Sequence, residues 1–227
     1  MKYNSGYFQF RDYQVETMGK IIEKNLRANK GGLVFYGDSI TENYNIEKYF
    51  PEIETKYNSG ISGFTSESLL WFCDEAVIKY QPDLVILMIG INDSGETCML
   101  SPKQTACNIK NLIEMLDINI KNVNFALIST LPWNPEQNME YRQEEFEAKQ
   151  GIRSNELIRK IYEETQKMLV NFSNIVYIDV FSEMLDENNR LSKEYSLDGI
   201  HLSEKGYEKF TNIIKTVILD YYRKISG

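Results

Sequence analysis

Residues 32–41 read Gly32-Leu33-Val34-Phe35-Tyr36-Gly37-Asp38-Ser39-Ile40-Thr41, an unbroken apolar run that stops at a glycine and an acidic turn. Such a run, bounded by turn residues, suits a strand covered on both faces in a parallel sheet. Gly32 to Tyr36 is therefore read as a first strand and Gly37-Asp38-Ser39 as the turn at its carboxyl end. A serine there is placed to show its hydroxyl in the crevice where parallel sheets bind ligands. The same tripeptide is also ordinary turn and helix-cap chemistry, so the serine alone leaves both readings open.

Four more short runs follow: Ile53 to Tyr57, Leu84 to Ile89, Val123 to Ile128 and Ile175 to Val180. The last three are near-continuously apolar and read as strands covered on both faces, whereas the first is more polar and suits a sheet edge. Helical spacing separates them. Leu69, Phe72, Cys73 and Ala76 share a face, as do Ile109, Leu112, Ile113 and Leu116 in a helix begun by Ser101-Pro102, with Gln104 set to close a capping box. Ile158, Ile161, Thr165 and Leu169 define a third stripe; Phe210, Ile213, Ile214, Val217 and Tyr221 a fourth. A helix through Val15, Met18 and Ile22 precedes the first strand. Alternating strands and helices imply right-handed crossovers and a parallel sheet between helical layers, an α/β class. With no repeat, low-complexity tract or linker, residues 1–227 read as one domain.

The strand-end rule directs attention to three further segments. Gly90-Ile91-Asn92-Asp93 ends the third strand; Asn92 either turns the chain or offers its amide to a developing oxyanion. Asn58-Ser59-Gly60-Ile61-Ser62-Gly63 follows the second strand and either turns or presents backbone N–H groups to an anion. The chain's one histidine, His201, lies in Asp198-Gly199-Ile200-His201, just before Ser203 caps the last helix. A serine nucleophile needs a base of near-neutral pKa, and that base needs an acceptor to fix its tautomer. Asp198 reaches the ring only through a tight loop, which Gly199 permits. A lone histidine is more often incidental, but no other base of this kind exists in the chain. Asp38, Asp93 and Asp198 as a divalent-ion site is the competing reading, weakened by the absence of a D-x-D pattern.

Bulk properties exclude several classes. A net charge of −8 argues against nucleic acid, which needs a basic face, and against a basic membrane-surface helix. No apolar run at the N-terminus suits a signal peptide or a membrane span, so no membrane insertion and a cytoplasmic address are expected. The three cysteines have no C-x-x-C pair. Cys73 and Cys107, on helical stretches, read as small buried side chains, and Cys98 as an accessible loop residue.

Taken together, Gly37-Asp38-Ser39, the Gly60 to Gly63 loop, Gly90-Ile91-Asn92-Asp93 and Asp198-Gly199-Ile200-His201 resemble, in order, the blocks of the GDSL esterases or SGNH hydrolases. The phrases YFPEIETKYNSGISG (49–63), PDLVILMIGIND (82–93) and DGIHLSEKGYEKF (198–210) are similar to the bacterial branch related to platelet-activating-factor acetylhydrolase and lysophospholipase. The likeness runs from about residue 31 to the C-terminus, leaving residues 1–30 as a helical extension. It implies a three-layer α/β/α sandwich of flavodoxin type with a five-stranded parallel sheet. It also implies Ser39 as nucleophile, His201 as base and then acid, and Asp198 as its orienting partner. The oxyanion hole would comprise the N–H groups of Ser39 and Gly63 and the side-chain amide of Asn92. No cofactor or metal is implied.

Two departures from the family loop stand out: Ser59 where an arginine is common, and Phe64 where an aspartate is. Phe64 is expected to set an apolar ring beside the oxyanion hole. Trp133 either walls the pocket or packs in the core, and the polar stretch 135–151 either covers the site or is a solvated helix extension. No long apolar lid is visible. A short acyl ester is therefore expected, acetyl first, with an O-acetylated carbohydrate as donor. A lysophospholipase or acyl thioesterase is the enzymatic alternative, and a non-catalytic binding or scaffold protein the alternative of another class. The N-terminal helix either packs on the core or joins two subunits, so a homo-oligomer is left open.

Overall fold

A computed structural model describes residues 9–226 apart from residue 97. Five parallel strands, β1 (Leu33–Gly37), β2 (Lys56–Gly60), β3 (Leu84–Met88), β4 (Asn124–Ile128) and β5 (Ile175–Ile178), form one sheet in the order β2-β1-β3-β4-β5. The order reverses between β1 and β3, so a crevice opens above their carboxyl ends.

Side-chain alternation divides the core into two layers. Val34, Tyr36, Val85, Leu87, Phe125 and Leu127 point to one face of the sheet. There they meet helices α1 (Asp12–Asn25), α4 (Ser66–Ala76), α5 (Pro102–Asn119) and α8 (Asn155–Met168). Leu33, Phe35, Leu84, Ile86, Met88, Ala126 and Ile128 point to the other face. They pack under the short helices α2 (Ser39–Glu42) and α3 (Ile46–Tyr49) and the long α9 (Glu204–Ser226). Two further helices, α6 (Pro135–Arg142) and α7 (Phe146–Gln150), lie above the strand ends beside a smaller cluster of Ile91, Trp133, Phe146, Ile158, Phe181 and Ile200. The three-layer α/β/α sandwich expected from the sequence is the fold.

Several elements differ in detail from the sequence reading. The second strand begins at Lys56, three residues after Ile53, because Ile53 is buried in the α2/α3 layer and its carbonyl accepts from Lys56 Nζ at 2.8 Å. Ser59 and Gly60 are consequently ladder residues, paired with Tyr36 and Gly37, rather than part of a loop. The strand is polar because its side chains are consumed locally. Asn58 Nδ2 donates to Thr41 O at 2.6 Å and Tyr44 O at 3.0 Å, and Ser59 Oγ donates to Ala76 O at 2.7 Å. The fifth strand, read as covered on both faces, is instead the opposite sheet edge, and Ile175 to Tyr177 are only half-buried.

The N-terminal helix forms, but of its predicted apolar face only Met18 packs against the core. Val15 is 55% exposed and Ile22 faces solvent, while Gln14, Ile21 and Asn25 are buried. Polar contacts fix this orientation. Asn25 Nδ2 donates to the Glu75 carbonyl at 2.7 Å, and Gln14 Nε2 to the Ser62 carbonyl at 3.0 Å. In α9, Phe210, Ile214 and Ile218 carry the burial, with Val217 turned outward. Cys73 is buried as expected; Cys107 is exposed, and Cys98 is half-buried, where burial pushes its thiol up to about 11. No helix of the described residues is long and apolar enough to cross a membrane.

Candidate active site

The Ser39 turn is built by close backbone approach. Gly37 and Gly60 sit opposite each other across the β1–β2 ladder. A Cβ on Gly37 would lie 2.4 Å from the Met88 carbonyl, and one on Gly60 would lie 2.2 Å from the Glu42 N. The two glycines let α2 rest directly on the strand ends. Asp38 caps that helix through Ile40 N–H at 3.0 Å, and Ser39 is its first residue. Burial pushes the Asp38 carboxyl up to about 6, against the opposing pull of that cap and of nearby His201.

From the far end of the chain, Asp198 and His201 arrive on a loop pinched by an antiparallel bridge between Ser196 and Leu202. Gly199 has φ +86, and a Cβ there would fall 2.4 Å from the Asn134 carbonyl, so the tight return needs glycine. The loop is tied to the α6 region: Asn134 N–H donates to the Gly199 carbonyl at 2.9 Å, and Asn138 Nδ2 to the Asp198 carbonyl at 2.9 Å.

Three side chains meet above β1. Ser39 Oγ lies 3.0 Å from His201 Nε2, and His201 Nδ1 lies 2.7 Å from Asp198 Oδ2. Asp198 Oδ1 accepts from the N–H groups of Ile200 (2.9 Å) and His201 (2.8 Å), which fixes the carboxylate rotamer. A carboxylate at Nδ1 selects the tautomer with its proton there, leaving Nε2 to accept from the Ser39 hydroxyl. Burial works against the Asp198 charge, but the His201 ring, two backbone donors and the histidine's positive form together bring its carboxyl down to about 2. The same hydrogen bond, donated to Asp198, raises His201 above its ordinary value, against burial.

Gly63 and Asn92 line the cavity of about 400 Å³ that Ser39 and His201 open into. One Asn92 amide hydrogen goes to the Phe64 carbonyl at 2.9 Å, which orients the side chain and leaves its second hydrogen uncommitted to that bond. Glu42 anchors the adjacent loop by accepting the Ser62 N–H at 2.6 Å and the Ser62 hydroxyl. Asp93 is fully buried and accepts from the Ser66 N–H and hydroxyl at the start of α4. Asp38, Asp93 and Asp198 thus each serve a separate local hydrogen-bonding task, and the described residues contain no cluster suited to a metal ion.

Other expectations change. The Phe64 ring is fully buried in the core against Phe72 and Phe10, so only its carbonyl bears on the site. Trp133 packs, at 4% exposure, against Phe146 and does not line the cavity. Residues 135–151 do bear on it, since Arg142 and Lys149 form part of its wall. The sequence reading missed further lining residues, Gln9, Arg11, Tyr13 and Gln14 from the N-terminal extension, and also Arg153. The burial of Gln14 on this helix is a signal only once the fold is known.

An α/β/α sandwich with a serine, histidine and aspartate in relay at its strand ends has the build of a serine hydrolase. Residues 35–209 match the model of the GDSL-like lipase/acylhydrolase family, and the chain belongs to that family. A multidomain esterase of Ruminococcus flavefaciens is 25% identical over 212 residues, 84% of this chain and 24% of that protein. The chain spans about half or less of the length of the curated relatives it matches. A Streptococcus pneumonia structure provisionally assigned as a platelet activating factor is 27% identical, with TM-score 0.79 over 90% of this chain and 92% of that one. The fold is shared with an acetylxylan esterase of Geobacillus stearothermophilus at 19% identity, TM-score 0.59, over 82% and 93% of the two chains.

Proposed function

We propose that the chain hydrolyses carboxylic esters of short acyl groups, acetyl first, through an acyl-enzyme on Ser39. The observation that carries this reading is the relay from Ser39 Oγ to His201 Nε2 at 3.0 Å and from Nδ1 to Asp198 at 2.7 Å, opening into one cavity. Ser39 attacks the ester carbonyl as His201 takes its proton. The oxyanion is met by the N–H groups of Ser39 and Gly63 and by the Asn92 amide. His201 returns the proton to the leaving alcohol, and the same base then activates the water that frees the acid. The acyl preference rests on the lining: Ile200 is its one aliphatic side chain among the described residues, the rest being polar, charged, glycine or Tyr13. Such a wall has little apolar surface to hold a long chain. An O-acetylated carbohydrate, whose hydroxyls such a wall can hydrogen-bond, is the favoured donor.

A p-nitrophenyl ester series tests it: kcat/KM is expected to be highest for acetyl and to fall steadily toward palmitoyl. A maximum at long chains would replace this reading with the lysophospholipase one, and no turnover at any length with the scaffold one.

Asn92→Ala is expected to lower kcat by roughly a hundredfold or more while KM changes much less, because the amide contact strengthens as charge develops. The variant also strips the Phe64 carbonyl of its donor, so a small fall in melting temperature accompanies the loss. Early melting with near-normal kcat would remove Asn92 from the oxyanion hole.

A further inference from the structure

The protein is strongly acidic, yet the wall of its cavity is not. Among the described residues, Arg11, Arg142, Lys149 and Arg153 line it against a single carboxylate, Glu96. Lys149 is paired with Glu145. No ion pair among the described residues takes up Arg142 or Arg153.

Arg153 is held like a fixed tool. Its Nε donates to the Ile91 carbonyl at 3.2 Å, and its guanidinium carbon lies 5.6 Å from the centre of the Trp133 ring, which itself stacks on Phe146. Those contacts use the face and one donor, so the two terminal nitrogens remain for a bidentate acceptor. Burial draws its pKa down to about 10, with Arg142 adding to the effect, so it is still a cation at neutral pH. Arg142, at the end of α6, has a buried Nε without a hydrogen-bond partner, and its charge is also felt at His201. Asp38 and Asp198 support the Arg153 charge and Glu145 feels that of Arg142, yet neither guanidinium has a paired carboxylate among the described residues. An oxyanion entering the cavity would be met by both charges.

We propose that Arg142 and Arg153 form a subsite for a carboxylate or phosphate carried by the substrate, making the preferred substrates acyl esters of anionic compounds, such as acetylated uronates or sugar phosphates. The turnover half of this proposal rests on the ester-hydrolase reading above; the anion-binding half stands independently of it.

Two measurements test the halves separately. The first compares kcat/KM for 4-acetoxybenzoate with that for its neutral methyl ester, which has the better leaving group. The wild type should favour the anion by tenfold or more at low ionic strength, and the preference should shrink as salt screens it. Arg142→Gln and Arg153→Gln should bring the ratio to about one or below. The ratio is read within each variant, so a general loss of rate does not imitate the effect. The second measurement is calorimetric titration of glucuronate, and separately of inorganic phosphate, into the Ser39→Ala protein. Binding of at least one, lost on adding Arg142→Gln, is expected, and the tighter of the two identifies the oxyanion. Should Arg153→Gln fail to fold for want of its stacking on Trp133, Arg142→Gln and the charge-keeping Arg153→Lys carry the test. Arginine-dependent binding without any ester turnover would sink the hydrolase reading and keep the subsite. An equal rate for both esters together with no binding of either anion overturns the subsite, whatever the turnover.

Discussion

Replacing Ser39 with alanine should abolish ester hydrolysis to within the residual rate of an enzyme without its nucleophile, a loss of about a millionfold. Ser39 is 7% exposed and its hydroxyl hydrogen-bonds to His201, so the variant should fold with a melting temperature close to that of the wild type. A fluorophosphonate should add once to the wild-type protein, on Ser39, and not at all to the variant. The other hydroxyls in the cavity give a stringent control. Ser62 also lines it, but its hydroxyl is donated to Glu42, and that of Thr65 is shared with Ser68. Neither has an imidazole to take its proton. Because nucleophile and base act as a unit, adding His201→Ala to Ser39→Ala should cost almost nothing further. Labelling of Ser62, or a double variant far slower than either single one, would overturn the assignment.

Asp198→Asn should cost about ten-thousandfold in kcat with the loop still in place. The reason lies in which oxygen does what. Oδ1 accepts the N–H groups of Ile200 and His201, so an asparagine will keep its carbonyl oxygen there and turn its NH2 toward His201 Nδ1. That amide donates, which forces the ring proton onto Nε2 and leaves no lone pair facing the Ser39 hydroxyl. The pH profile supplies a second readout. In the wild type Asp198 raises the His201 pKa above its ordinary value, and catalysis needs the neutral ring, so activity should rise with pH through a midpoint above about 6.5. Removing the carboxylate charge takes that support away, and the midpoint should move to lower pH. Stability changes with the opposite partner. The Asp198 carboxyl is depressed to about 2, so its contribution is complete above the ordinary carboxylate range near 4 and fades as the pH falls toward 2. The Asn variant should therefore melt lower than the wild type at neutral pH and approach it near pH 2. An unchanged kcat, or an unmoved midpoint, would remove Asp198 from the relay.

Much of this architecture is written in short-range pattern. Alternate residues of Leu33 to Tyr36 and Leu84 to Met88 are all apolar, which only a strand covered on both faces requires, and the two pair in the sheet as neighbours. The Ser101 and Gln104 cap, and the stripes at Leu69, Phe72, Cys73 and Ala76, depend on contacts three or four residues apart. Asp198 and His201 are equally local: they are three residues apart in sequence and 2.7 Å apart in space. Where strand and helix periodicity end, so does that legibility. The Ile175 run is apolar enough for a central strand, and no feature of its own sequence states that it has only one neighbour.

What the sequence determined by itself, then, is the layered α/β class, the strand-end position of Ser39, and the coupling of His201 to Asp198, because each depends on residues near one another along the chain. The tertiary structure decided what depends on distant segments. Ser39 meets His201 across 162 positions, and Gln14 is buried only because the Ser62 carbonyl, 48 positions away, takes its amide. Phe64 turns into the core and away from the pocket because Phe10 and Phe72 enclose it there. Arg153 becomes a wall of the site because Ile91 and Trp133, from two other strand ends, hold its guanidinium in place. Periodicity records which face of an element is apolar; it carries no record of which distant polar group that face will meet, and here those meetings shape the cavity.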